Sequence, residues 1–433
     1  MIENVLNRFS LNSLLRVMGL AAFLFVATGC NEKEETNLLA NEPTPLPLSL
    51  DVTGRQLHQQ MNQVAYAVHG KALAETKALK QSIDKFLNKP DPFTQDEAYQ
   101  QWQQAYSAFL ATRFFGYLPI SDPEEWKKDR IDYQSLLARV DSWPIEGGYI
   151  DYVEGYAHSG IVNDVTLAIS STTLGQQHQF AADESVSIGF HALEFLLKGE
   201  DGQRPASDYL IGNTREGAIE SAREGQSSDS SPVTAGQNAD RRRQYLEVAA
   251  NMLADDIERM TERWKPVNGY YASLVDNSVA DQVFMAGLTA GKALLESEPL
   301  SRLREPESET GGSEPMSTHA NQVNSIAYLD GMKQWLLGAQ EDAVQGALVI
   351  AFQNQHSELL ERWQHAFAEI EPMKAEVVEV ANSSEQLPSQ SETAIATPEQ
   401  KASEVETINA DEARLNHLQA LLEEIITLLM PKV

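Results

Sequence analysis

From Leu57 onward, apolar residues recur every three or four positions and almost nowhere alternate with polar ones. That spacing lays apolar side chains along one face of a helix and cannot line one face of a strand. A chain patterned in this way must bury its stripes against other stripes, which restricts it to helix-on-helix architectures. Tyr245, Ala249, Met252, Leu253, Ile257, Met260 and Trp264 predict a helix over 241–264. Leu415, Leu418, Leu422, Ile425 and Leu429 predict another from Asp411 to Met430. The same spacing predicts helices over 57–87, 95–116, 148–157, 161–173, 183–198, 276–297, 319–337 and 340–370. The fold class is therefore all-α, expected as two antiparallel helical bundles. The first covers 55–211 and the second 241–433. Between them, 212–240 is rich in Gly, Ser, Asn and Asp and reads as a flexible loop or insertion. The Ser/Glu/Thr/Pro-rich stretch 381–402 reads as a disordered insertion in the second bundle.

Charge narrows the partners. Across 433 residues the formal net charge is −30, a field that repels phosphate, so no nucleic-acid partner is expected. A single cysteine forbids an intrachain disulfide. That cysteine closes a leader: Arg8 and Arg16, an apolar run over 17–26, then Ala27-Thr28-Gly29-Cys30. A basic start, a short apolar core and small residues before a cleavage point define a signal peptide over 1–29. The run is too short to span a bilayer comfortably. Its end resembles the lipobox of bacterial lipoproteins, and an ordinary secretory signal is the alternative. The resemblance implies lipidation at Cys30, a tether over 30–54 carrying Pro43, Pro45 and Pro47, and a lipid anchor in the bacterial cell envelope. Asn31 after the cysteine resembles the sorting signal for the outer membrane.

Several chemistries have no motif here. There is no HExxH, no phosphate-cradling Gly-rich loop, no GxSxG and no triad-like spacing of Ser, His and Asp. Of the nine histidines, only His191 has a glutamate three residues on, Glu194. The two would share one helix face, and imidazole with carboxylate suits iron, zinc or manganese better than calcium. With nine histidines one such pair arises about once by chance, and its usual role is a hydrogen bond on a helix. Here Phe190, Ala192, Leu193, Phe195, Leu196 and Leu197 surround the pair. Both are thus expected to be buried and to need each other, a cation or an arginine. Glu154, Asp164, Asp183, Glu184 and Asp208 are candidates for further ligands from neighbouring segments.

The stretch 187–199, with Gly189, His191 and Glu194, resembles the Gly-x-His-x-x-Glu signature of the imelysin family. Arg204-Pro205 and Asp208-Tyr209 are similar to the segment that follows in that family. Trp143-Pro144 and Tyr149-Ile150-Asp151 are similar to the one that precedes it. Thr318-His319 resembles the second family motif, although Met316 stands where that motif carries its Asp. The resemblance implies two helical bundles with the His-x-x-Glu helix facing a cleft. It implies a metal held by His191 and Glu194, iron ahead of zinc, with Gly189, Arg204, Asp208, Thr318 and His319 around the cleft. No catalytic residue is assigned. Three functions stay open: an envelope lipoprotein binding iron or an iron-bearing ligand for an iron transporter, a metallopeptidase of the imelysin type, and a non-metal helical scaffold.

Overall fold

Helix α1 (Leu50–Asn88) buries Leu57, Met61, Val64, Ala65, Val68, Ala72, Leu79, Ile83 and Phe86, one continuous stripe. It is the element around which the others collect. This computed structural model describes residues 50–118, 123–200, 202–211, 238–298, 318–339, 344–352, 357–370 and 398–429, all within one compact unit spanning 45–433. The fold is all-α: among the described residues the only paired strands are the two-residue β1 (Gly338–Ala339) and β2 (Val344–Gln345). No described helix is long and apolar enough to cross a membrane.

A sharp turn follows α1. Asp91 caps α2 (Pro92–Leu110): its side chain accepts from the Thr94 amide at 2.9 Å, and the Thr94 hydroxyl faces the Asp91 amide. Pro92 lacks the donor that a first helical turn leaves unpaired anyway. A 3-10 turn (Ala111–Tyr117) extends α2. Then come α3 (Pro123–Val140), the short α4 (Gly147–Ile150), α5 (Gly160–Asn163) and α6 (Ser171–Gln177), and α7 (Phe190–Lys198). Helix α8 (Ala239–Arg263) lies along α1 and also touches α3 and α7, so its packing groups it with helices that precede 212–240. Past α9 (Tyr270–Asn277), helix α10 (Ala280–Ser297) packs on α1, on the 3-10 turn after α2 and on the last helix, α14 (Pro398–Leu429). Helix α11 (Thr318–Leu337) lies against that 3-10 turn, α1 and α2, with α12 (Ala347–Phe352) and α13 (Ser357–Ile370) beside it.

Six expected helices differ clearly from their expected bounds. The segment 148–173 is mostly turns, because the Asp151 carboxylate accepts from the Tyr152 amide at 2.9 Å and from two arginines, which fixes it outside a helix. The 183–198 helix starts only at Phe190. Upstream, the Ser187 carbonyl accepts from Tyr245 Oη at 2.8 Å and the Ser187 hydroxyl donates to Leu174 O at 2.8 Å. The helix expected over 276–297 breaks at Ser278, whose hydroxyl donates back to Leu274 O at 2.7 Å. The helix expected over 340–370 is instead the hairpin with α12 and α13, the chain turning at Gly338, φ 91°. The last helix begins at Pro398, inside the stretch read as disordered, since proline opens a helix as readily as it breaks one. The leader with Cys30, the tether up to residue 49, and 212–237 and 371–397 lie outside the described residues.

Candidate functional site

Helix α2 carries Tyr99, Trp102, Tyr106 and Phe109 at three-and-four spacing, and they form an aromatic ridge. Tyr99 and Trp102 stack at 5.7 Å between centroids, and Trp102 and Tyr106 at 5.2 Å. Phe190 packs onto Tyr106 at 5.1 Å and Phe109 at 5.3 Å, while Trp102 Nε1 donates to the Phe190 carbonyl at 2.8 Å. This pins the first turn of α7 to α2. Gly189 opens that turn at φ 95°, and a Cβ there would stand 2.6 Å from Val140 O. Only glycine lets α7 start against the end of α3.

Within that first turn, His191 is 3% exposed. Its Nδ1 lies 3.4 Å from Glu194 Oε2, and its Nε2 3.3 Å from Asp141 Oδ1. The Tyr106 hydroxyl donates to the same Asp141 oxygen at 3.0 Å. Arg113 Nη1 donates to Asp141 Oδ2 at 3.0 Å, and Arg113 Nη2 to Glu298 Oε1, which also accepts from Tyr117 Oη at 2.9 Å. The result is a buried line of alternating charge: Glu194, His191, Asp141, Arg113, Glu298. Burial by itself would lower the His191 pKa. The hydrogen bonds and charges of Asp141 and Glu194 outweigh it and push the imidazole up to about 9. His69 shows the opposite outcome. It is equally buried, between Phe115 and Trp264, with only the Ala65 carbonyl as partner at 2.8 Å, and burial pushes it down to about 4. Near neutral pH His191 is therefore an imidazolium and His69 a neutral ring.

Three groups carry the network toward solvent. The Glu194 side chain is 22% exposed, the Tyr99 hydroxyl lies 3.4 Å from Glu194 Oε1, and Trp143, 44% exposed, stands 4.9 Å from the His191 ring. Lys198 lies over the Tyr99 ring, 4.6 Å from its centroid.

Arg204 and Asp208 belong to a second buried cluster. Arg204 Nη1 donates to Asp151 Oδ2 at 2.8 Å, Arg242 Nη2 to Asp151 Oδ1 at 3.0 Å, and Tyr152 Oη to Asp208 Oδ2. Gln95 of α2 donates to Leu197 O at 2.7 Å and Arg204 O at 2.8 Å, tying this cluster's loop to the end of α7. Glu154, Asp164, Asp183 and Glu184 are exposed, and Asp164 caps its own turn through Thr166. Thr318 and His319 open α11, but their side chains lie outside the described residues. The sequence reading missed Asp141, Arg113, Tyr106 and Glu298. Asp141 sits beside Trp143-Pro144, which the sequence reading took as part of the family segment before the signature without assigning Asp141 a role.

The donor set around His191 is poorly disposed toward a metal ion. Both ring nitrogens already face carboxylates and the ring is cationic, so it offers no lone pair. Asp141 is neutralised by Arg113. Among the described residues no three His, Cys, Asp or Glu side chains are arranged to hold an ion. The site as folded does not fit a bare metal ion.

The family pattern for Imelysin matches residues 65–422, so the chain belongs to the imelysin family. Among solved structures, one named as an iron-regulated protein A precursor, from Parabacteroides distasonis, aligns with a TM-score of 0.53 at 14% identity, over 89% of this chain and 98% of that one. An imelysin-like protein from Psychrobacter arcticum aligns with a TM-score of 0.46 at 14% identity, over 88% of this chain and 95% of that one. No curated protein matches the chain.

Proposed function

We propose that this protein is a lipid-anchored imelysin-family member of the bacterial cell envelope that serves iron acquisition. It holds an iron-bearing ligand, rather than a bare ion, at the Glu194–Trp143 edge of the network while His191 stays protonated. The observation that carries this reading is the position of His191 between two carboxylates, which favours the charged ring and leaves Glu194 as the group at the solvent edge. Glu194 accepts hydrogen bonds and Trp143 offers a flat face, so a chelate bearing hydroxyl donors or a planar iron complex suits the edge. The relative from Parabacteroides distasonis carries an iron-regulated name, which is consistent with such a role. The motif ending at Cys30 supports the anchor.

A structural role is the second reading. It is favoured by one fact: both ring nitrogens of His191 already have partners. Calorimetric titration of haemin, a ferric–catechol chelate, ferrous ion and zinc into wild type and Glu194→Gln at pH 7 separates the possibilities. The proposal expects an iron complex to bind wild type and to lose about tenfold in affinity in the variant, from one charge-assisted hydrogen bond. Binding of the bare ions alone would move the reading back to an ion site. Equal binding in both proteins, or none in either, would leave the network structural. Cys30→Ser should yield an unlipidated chain. If it still fractionates with outer membrane after high-salt and carbonate washing, the anchor reading fails.

A further inference from the structure

Away from His191, helix α1 carries Gln56, Gln59, Gln60 and Gln63, which stand on one face at three-and-four spacing. That face lines an open cleft of about 620 Å³, together with Gln334 of α11 and Gln345 of the hairpin. The volume lies within the range of small-ligand sites. Gln60 is 1% exposed. Its Nε2 donates to Trp335 O at 2.7 Å, and its Oε1 has no partner among the described residues. The side chains of the other five glutamines make no hydrogen bond among the described residues either. The half-buried ring of Tyr66 also faces the cleft.

Among the described residues the lining holds no Asp, Glu, Lys, Arg or His, although at this chain's 22% charged fraction thirteen lining residues would carry about three. With no charge on these described residues, they have nothing to neutralise a phosphate, a carboxylate or a metal ion. What it offers is a set of primary amides, each presenting a donor and an acceptor side by side, around a buried acceptor that gains from a hydroxyl. Vicinal hydroxyls of a sugar present the same donor–acceptor pairs, and a sugar ring's C–H face packs on an aromatic ring such as Tyr66. An extended peptide would need a strand edge to pair with, and the hairpin offers only two residues a side.

We propose that the glutamine-lined cleft between α1 and the β1–β2 hairpin binds a neutral saccharide. The site shares no residue with the His191 network and does not rest on the iron reading.

The full-length protein is titrated by calorimetry, with saturation-transfer NMR, against maltotetraose, cellotetraose and chitotetraose. Tetragalacturonate and tetra-alanine serve as charged and peptide comparisons. Two variants are used: Gln60→Met, and the exposed pair Gln59→Ala/Gln63→Ala, whose side chains make no hydrogen bond among the described residues. At least one neutral tetrasaccharide should bind. The double variant should weaken it about tenfold and Gln60→Met at least as much, while His191→Gln leaves it unchanged. If Gln60→Met does not fold, the double variant decides. Absence of binding by all three neutral saccharides, preference for either comparison ligand, or affinity within about twofold of wild type in the double variant would overturn the proposal.

Discussion

Replacing His191 by glutamine should change how stability depends on pH more than how much stability there is at high pH. The imidazole is pushed up to about 9 by Asp141 and Glu194, against an unfolded value near 6.5. A raised folded pKa means the native state binds the proton more tightly, so the extra stability is fully present below about pH 6.5 and is lost as pH rises through about 9. The gap corresponds to ~3 kcal/mol, an order-of-magnitude figure. The group is 3% exposed, so solvent screening takes little from it. Glutamine fills similar space and can donate to one carboxylate but carries no proton to lose. Urea unfolding of wild type and His191→Gln at pH 6, 7.5 and 9.5 isolates this group, because the many other titrations are common to both chains. The stability difference should be largest at pH 6 and shrink by ~3 kcal/mol by pH 9.5. A difference that stays constant across that window would mean that folding leaves the His191 pKa unshifted, and the charge-alternating network would be wrongly described.

Two further outcomes test how the network is held. Gly189→Ala puts a Cβ against Val140 O at a left-handed backbone position, and should cost ~3 kcal/mol in urea unfolding; a loss under about 1 kcal/mol would show that α7 can start differently. Arg242→Met leaves Asp151 buried with Arg204 as its one remaining cation, and should destabilise by ~3–5 kcal/mol, whereas a nearly neutral effect would mean Asp151 is solvated or protonated in the folded chain.

The long helices were legible because each buries an unbroken stripe: the apolar spacing in α1, α8 and α10 survives into the folded core. What periodicity could not convey was where polar side chains overrule it. Asp151, Ser187 and Ser278 each divert the backbone through a hydrogen bond whose partner lies elsewhere or one turn back. Pro398 shows that composition misleads at a helix start. At the site, the signature gave His191 and Glu194, and the apolar residues around them gave their burial. Asp141 lies 50 residues earlier and Arg113 and Glu298 come from two other elements, so no local pattern links them to His191. Their arrangement also reverses the chemistry drawn from the motif. Imidazole with carboxylate suggests a neutral ring and an anionic carboxylate as metal ligands, and a second carboxylate on the other ring nitrogen favours the histidine as a cation.

Proton release on ligand binding tests that reversal most directly. A ferric–catechol chelate is titrated into the wild-type protein at pH 7.5 in two buffers of different ionisation enthalpy, and the heats give the number of protons exchanged per site. If the ligand sits at the Glu194–Trp143 edge with His191 still charged, the heats observed in the two buffers should coincide without any correction for buffer ionisation, with no proton released. Release of about one proton per bound ligand, absent in His191→Gln, would mean that the imidazole gives up its proton to coordinate iron itself, and would contradict the account.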